Sequence, residues 1–157
     1  MCGIVGITST KKVSSTILNS LRKLEYRGYD SAGIATLESG LIKEVKCEGR
    51  VDALESNLSK QKLKGNVGIG HVRWATHGVP STINAHPHSS DKVSVVHNGI
   101  IENSTILKKL LIKKGYKFKS QTDTEVIVHL ITDYLKKNNL KNSIIKMLKK
   151  VHGSFAL

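Results

Sequence analysis

The chain opens Met1-Cys2-Gly3 and passes straight into a short apolar strand, Ile4-Val5-Gly6-Ile7. A residue in second position has almost no chain before it. Every group that cooperates with the Cys2 thiol must therefore be carried to the start of this strand by elements further along. A small residue after the initiator lets an aminopeptidase remove Met1, which makes Cys2 the first residue. A free thiol, with a pKa of about 8.5, is a weak nucleophile near neutral pH, and an α-amine of about 7.7–8 is a base of suitable strength. The amine of a terminal cysteine can take the thiol proton directly or through one water, the logic of N-terminal nucleophiles. Gly3 allows close backbone approach. The competing reading makes Cys2 a small apolar side chain in an edge strand.

With 157 residues and 39% apolar content the chain suits one domain with its own core. No apolar run approaches the length of a membrane span, and Lys11-Lys12 follow the first apolar run instead of preceding it as in a leader. Cys2 and Cys47 are too few for a disulfide framework, which reads as a cytoplasmic protein with a free thiol. The net charge of +13 raises nucleic acid as a partner. Pairs such as Lys108-Lys109, Lys136-Lys137 and Lys149-Lys150 are instead spread over helical segments with little aromatic interleaving, so they read as solvated helix faces.

Val13, Ile17, Leu21 and Leu24 recur at helical spacing and predict a helix over 13–25. Gly33–Leu37 and Leu41–Cys47 alternate as a hairpin around Ser39-Gly40, and Val51, Leu54 and Leu58 mark a short amphipathic helix. Val67–Val72 and Val93–Val96 read as central strands. Between them runs a polar segment, Arg73 to Asp91, whose length inside a compact domain points to function. A helix over 105–114 is capped by Asn103 or Ser104, and Tyr116–Lys119 reads as a short strand. Thr122 and Glu125 have capping-box spacing ahead of an apolar helix, and a last helix covers 140–151. The ending, Ser154-Phe155-Ala156-Leu157, reads as the beginning of a strand and predicts a fold short of strands at its C-terminal side.

Polar clusters at the ends of these elements can converge on the thiol. A thiol attacking an amide needs oxyanion donors, which Asn98-Gly99 supply as a side-chain amide and a backbone N–H. Arg73 offers a bidentate fork for a substrate carboxylate, and Asp123 an anion for an ammonium. A substrate with all three groups is glutamine or asparagine. Each residue has a plainer reading. Asn-Gly is the commonest hairpin dipeptide, Arg73 suits a surface ion pair, and Asp123 suits a helix N-terminus. Trp74 is either core or a mobile cover. The histidines at 71, 77, 86, 88 and 97 have no helical pairing and only Asp91 nearby, so no metal is expected. Gly68-Ile69-Gly70 lacks the residues of a phosphate loop or a dinucleotide fingerprint, so no cofactor is expected either.

Met1–Gly6, Leu24–Gly33, Arg73-Trp74-Ala75-Thr76-His77-Gly78, Asn84–His88, His97–Asn103 and Thr122–Val126 together resemble, in order, the glutaminase domain of the glutamine–fructose-6-phosphate aminotransferases. These are class II glutamine amidotransferases of the N-terminal-nucleophile hydrolase fold. The Tyr26–Gly33 and Arg73–Gly78 segments are more typical of this branch than of the phosphoribosylpyrophosphate amidotransferases or asparagine synthetases. The resemblance implies an α+β, four-layer α/β/β/α sandwich over residues 2–157, C-terminally incomplete. It implies Cys2 as nucleophile and Asn98 and Gly99 as the oxyanion hole. Arg73, Thr76, His77, His86 and Asp123 would serve glutamine, with Trp74 in a closing loop and Arg27 in support. Fructose 6-phosphate would be met only through a sugar-isomerase-like region absent here, in a full-length homodimer. The alternative is an inactive fragment or partner module that still binds glutamine.

Overall fold

A computed structural model describes residues 2–157. Met1, whose removal the sequence reading requires, lies outside the described residues.

The first strand, β1 (Gly3–Thr8), leads to helix α1 (Ser14–Leu24), which buries the Ile17, Leu18 and Leu21 stripe. Arg22 and Lys23 in its last turn complement the helix dipole. A single turn at Glu25–Arg27 follows, then the hairpin β2 (Ser31–Glu38) and β3 (Leu41–Glu48). Helix α2 (Val51–Lys60) starts where Glu25 Oε1 accepts the Val51 N–H at 2.7 Å, so its first turn is capped from across the fold. Strand β4 (Val67–Arg73) completes an antiparallel sheet of order β1-β4-β2-β3.

The two faces of β4 differ. Gly68, Gly70 and Val72 face α1, and a Cβ on Gly70 would stand 2.4 Å from Ile17 Cγ2, so glycine sets how closely the helix lies on the sheet. Ile69, His71 and Arg73 face the other way, toward a second layer of strands. That layer comprises β5 (His88–Ser89) with β6 (Ser94–Val95), and β7 (Asn98–Ile101) with β8 (Gly153–Ala156). Helices α3 (Ser104–Lys113), α4 (Thr124–Leu135) and α5 (Leu140–Leu148) cover its outer side. The architecture is the expected α+β sandwich, with its second β layer divided into two strand pairs. One apolar core joins α1 and α2 to the four-stranded sheet, and another joins α3–α5 to Val93, Val95 and Ile101.

Four local expectations fail. Asn103 stands at the start of α3 but makes no side-chain cap, because its amide donates to the Lys150 carbonyl at 2.9 Å and accepts the His152 N–H at 3.0 Å. Val93–Val96 forms only the two-residue β6. Tyr116–Lys119 is not a strand: Tyr116 and Phe118 alternate because both lie against α4, with their rings 5.1 and 4.6 Å from the His129 ring. The Thr122–Glu125 capping box does not form. The Glu125 carboxylate instead turns back to accept the Lys119 N–H at 2.9 Å and the Ser120 N–H at 2.7 Å, and the Asp123 cap position makes no side-chain capping bond.

Candidate functional site

The register of the first sheet determines where Cys2 stands. Gly3 is opposite Val72, and Ser31 is opposite Arg73, so the residue before β1 lies beside the end of β4 and the start of the polar segment. There the Cys2 Sγ accepts the Trp74 N–H at 3.2 Å and faces the Trp74 carbonyl at 3.5 Å. The Cys2 carbonyl accepts two bonds, from Arg27 Nε at 3.1 Å and from Asn98 Nδ2 at 3.2 Å. The start of the chain is thus fixed by groups from three separate elements, which is the assembly the sequence demanded.

A cleft of ≈ 550 Å³ opens at this point, and Cys2, Arg73, Asn98, Gly99 and Asp123 all line it. Trp74, Thr76, His77, His86 and Arg27 also contribute to its wall, so every residue expected at the site comes together there.

Asn98-Gly99 is not a hairpin turn. It begins β7, paired with Ala156 and Phe155 of β8. Gly99 has φ +119°, and a Cβ there would sit 2.1 Å from the Ser154 carbonyl oxygen, so only glycine fits. Arg73 is not a surface ion-pair residue either. At 3% exposure its guanidinium is held by the His77 and Gly78 carbonyls, with Asp30 Oδ1 3.8 Å from Nη1. Trp74 is half exposed and packs edge-on against Tyr29 with ring centroids 5.4 Å apart, which suits a cover more than a core residue. His77 Nδ1 lies 3.3 Å from the Thr76 hydroxyl at the exposed rim.

Asp123 reaches the cleft from the turn before α4. Burial would raise the Glu125 carboxyl, but the nearby His129 and the donors of Lys119 and Ser120 outweigh that and hold it down to about 2. The ionised Glu125 therefore fixes the 119–123 turn. Asp123 Oδ2 accepts the Ile101 N–H at 2.8 Å, tying this turn to β7 and leaving Oδ1 for the cleft. The polar segment is ordered from the same side: Asn84 Oδ1 accepts the Gln121 N–H at 2.9 Å while its Nδ2 donates to the Val79 carbonyl at 2.9 Å.

Asp30, His71, His88, His97 and Thr124, given no role from sequence, also shape this site. Asp30 accepts the Ala75 N–H and the Ser31 hydroxyl, so it shapes the Arg73–Ala75 turn. Behind the cleft, His71, His86, His88 and His97 pack together, each 5% exposed or less. His71 stacks on His86 at 4.3 Å, and His86 meets His88 edge-on at 4.7 Å. The Thr124 hydroxyl bridges His86 Nε2 at 2.7 Å and His97 Nδ1 at 2.8 Å. Burial lowers all four imidazoles: His71 to about 4, His88 to about 3, His86 well below its ordinary value, and His97 downward against the partial opposition of Asp123. The neutral cluster separates the two β layers. The rings pack through their faces and edges, and no group of three His, Cys, Asp or Glu side chains is arranged to hold a metal ion among the described residues. His86 lines the cleft wall with its Nε2 against the Thr124 hydroxyl.

Residues 71–157 match the family described as a glutamine amidotransferase domain. The chain is 56% identical to glutamine–fructose-6-phosphate aminotransferase (isomerizing) of Clostridium acetobutylicum and 51% identical to that of Bartonella henselae, in each case over all of this chain and 26% of the relative. It thus spans about a quarter of the length of these curated relatives. Among solved structures, the glutamine phosphoribosylpyrophosphate amidotransferase of B. subtilis, complexed with ADP and GMP, superposes with a TM-score of 0.81 at 30% identity, covering 99% of this chain and 34% of that one. A structure described as the allosteric regulatory enzyme of purine biosynthesis gives 0.84 at 30% identity, again covering 99% and 34%.

Proposed function

The chain belongs to the glutamine amidotransferase domain family, and from that premise we propose that it releases ammonia from glutamine with Cys2 as the nucleophile. The observation that carries this reading is the placement of the Cys2 thiol in one cleft with Arg73, Asp123 and Asn98-Gly99. With Met1 gone, the α-amine takes the thiol proton and the sulfur attacks the carboxamide carbon. The carbonyl oxygen becomes an oxyanion, met by Asn98 Nδ2 and the Gly99 N–H. Collapse breaks the C–N bond, and the nitrogen leaves as ammonia after taking a proton from the α-ammonium. Water then attacks the glutamyl thioester, releasing glutamate and restoring the thiol.

Arg73 holds the substrate carboxylate, since its guanidinium is already oriented by the two loop carbonyls. Asp123 holds the ammonium through the oxygen that Ile101 leaves unused. Thr76 and His77 complete the rim, Trp74 closes over the bound glutamine, and Arg27 steadies Cys2 through its carbonyl. The acceptor of the ammonia is fructose 6-phosphate, the substrate named in the curated relatives, bound by sequence beyond the quarter of their length that matches. A cytoplasmic setting accords with the two free cysteines.

The test is ammonia and glutamate release by the chain bearing Cys2 as its first residue. Equimolar release, abolished in Cys2→Ala, supports the reading. Undiminished release by Cys2→Ala overturns it.

A further inference from the structure

The oxyanion role of Asn98 depends on which way its side-chain amide points, and a carboxamide is nearly symmetric in shape. Rotated by half a turn, it would offer an oxygen where a donor is needed. Something has to set its orientation, and the contacts of β4 and β7 show what does.

His71 is fully buried, and its Nε2 lies 3.1 Å from the His97 carbonyl oxygen and 2.9 Å from Asn98 Oδ1. A backbone carbonyl can only accept. A bare imidazole nitrogen against it would set two lone pairs face to face, so Nε2 carries the hydrogen. The other ring nitrogen, Nδ1, is buried without a hydrogen-bond partner, and the ring is held flat by stacking on His86 at 4.3 Å. Burial keeps this imidazole neutral, with its pKa down to about 4. A neutral ring has one N–H, and that N–H is shared between two acceptors on adjacent residues.

We propose that His71 is a positioning residue: its Nε2–H, fixed in that tautomer by the His97 carbonyl, holds Asn98 Oδ1 and so turns Asn98 Nδ2 toward Cys2. The Asn98 nitrogen then has two hydrogens. One goes to the Cys2 carbonyl at 3.2 Å, and the other is free for the oxyanion. The peptide carbonyl immediately before Asn98 thus sets the orientation of the Asn98 amide through a residue 27 positions earlier. His71 touches no reacting atom and does not line the cleft. The inference rests on the reading that Cys2 and Asn98 are the reacting thiol and an oxyanion donor.

The substitution test uses the fact that glutamine places an amide N–H near the position of imidazole Nε2, whereas asparagine mimics Nδ1. Removal of an oxyanion donor costs about 10²–10³ in kcat, and loss of its positioning partner costs less, so His71→Phe lowers kcat for ammonia release about 10–100-fold with KM held within about threefold. His71→Gln restores kcat to within about fivefold of the parent, His71→Asn does not, and His71→Phe adds nothing in an Asn98→Ala background. Equal kcat in His71→Gln, His71→Asn and His71→Phe overturns the proposal, as does a change confined to KM. Nitrogen-15 NMR of the unsubstituted chain at pH 7 needs no variant to fold: a neutral His71 protonated at Nε2 supports the proposal, and protonation at Nδ1 sinks it. Absence of ammonia release from the unsubstituted chain would defeat the glutaminase reading, while the tautomer still decides whether His71 sets the Asn98 amide.

Discussion

Acid should destabilise this fold steeply, because four neutral histidines occupy the space between its β layers. The unfolded chain titrates histidine near 6.5, whereas the folded chain holds His71 at about 4 and His88 at about 3. All four folded values are lowered, so the native state binds fewer protons than the unfolded one. The stabilisation is therefore whole above about pH 6.5 and is lost as the pH falls toward the folded values. At pH 5 an unfolded histidine carries nearly a full proton that the buried one refuses. Integrating that difference between pH 7 and pH 5 gives about 2 kcal/mol for each of His71 and His88, or about 4 kcal/mol together. His86 and His97 act in the same direction. Glu125, held at about 2, contributes mainly below pH 5. Against a total stability of about 5–15 kcal/mol this is a large fraction. Urea unfolding followed by circular dichroism at pH 7 and pH 5 measures it, and His88→Gln should flatten the dependence by about 2 kcal/mol. A stability at pH 5 within about 1 kcal/mol of that at pH 7 would show that the buried histidines do not stay neutral at the fold's expense.

Two further outcomes follow from the site geometry. Gly99→Ala forces a Cβ to 2.1 Å from the Ser154 carbonyl oxygen at a φ of +119°. It should separate β7 from β8, abolish ammonia release and lower stability by about 2 kcal/mol or more, read as a fall in Tm of about 5 °C by calorimetry. Asp123→Asn keeps an oxygen for the Ile101 N–H, so the Tm should hold within about 3 °C, while loss of the pairing to the glutamine ammonium raises KM about 10–100-fold in steady-state assays.

The parts of the fold that were legible in the sequence are those decided by local periodicity. The Val13–Leu24 stripe gives α1 because one face repeats at helical spacing against one sheet. The β2–β3 hairpin is legible because its alternation is bounded by Ser39-Gly40, both at positive φ. Local spacing misled where a distant partner captured a group. Glu125 has the spacing of a capping box, yet it serves the Lys119 and Ser120 N–H groups. Tyr116 and Phe118 alternate because a helix lies beneath them. The cleft itself was readable because Cys2, Arg73, Asn98-Gly99 and Asp123 have complementary chemistry that only one substrate type uses together. The residues holding them were not. Asp30, His71 and Thr124 act through contacts 26 to 45 positions away, and a buried histidine has no signature in sequence that separates it from a ligand. The histidine-rich stretch was a signal, but its spacing does not show that His71, His86, His88 and His97 bury their rings against one another.

Cys2, freed of Met1, is the proposed nucleophile of a glutamine site. A diazoketone analogue of glutamine tests this role, because the Cys2 sulfur displaces dinitrogen from the analogue and is alkylated only when the amino-acid end is correctly seated. Peptide mass spectrometry should find one equivalent on Cys2, none on the buried Cys47, and protection by excess glutamine. Label on Cys47, no label, or label on Cys2 that glutamine does not suppress would rule out Cys2 as the nucleophile of a glutamine site.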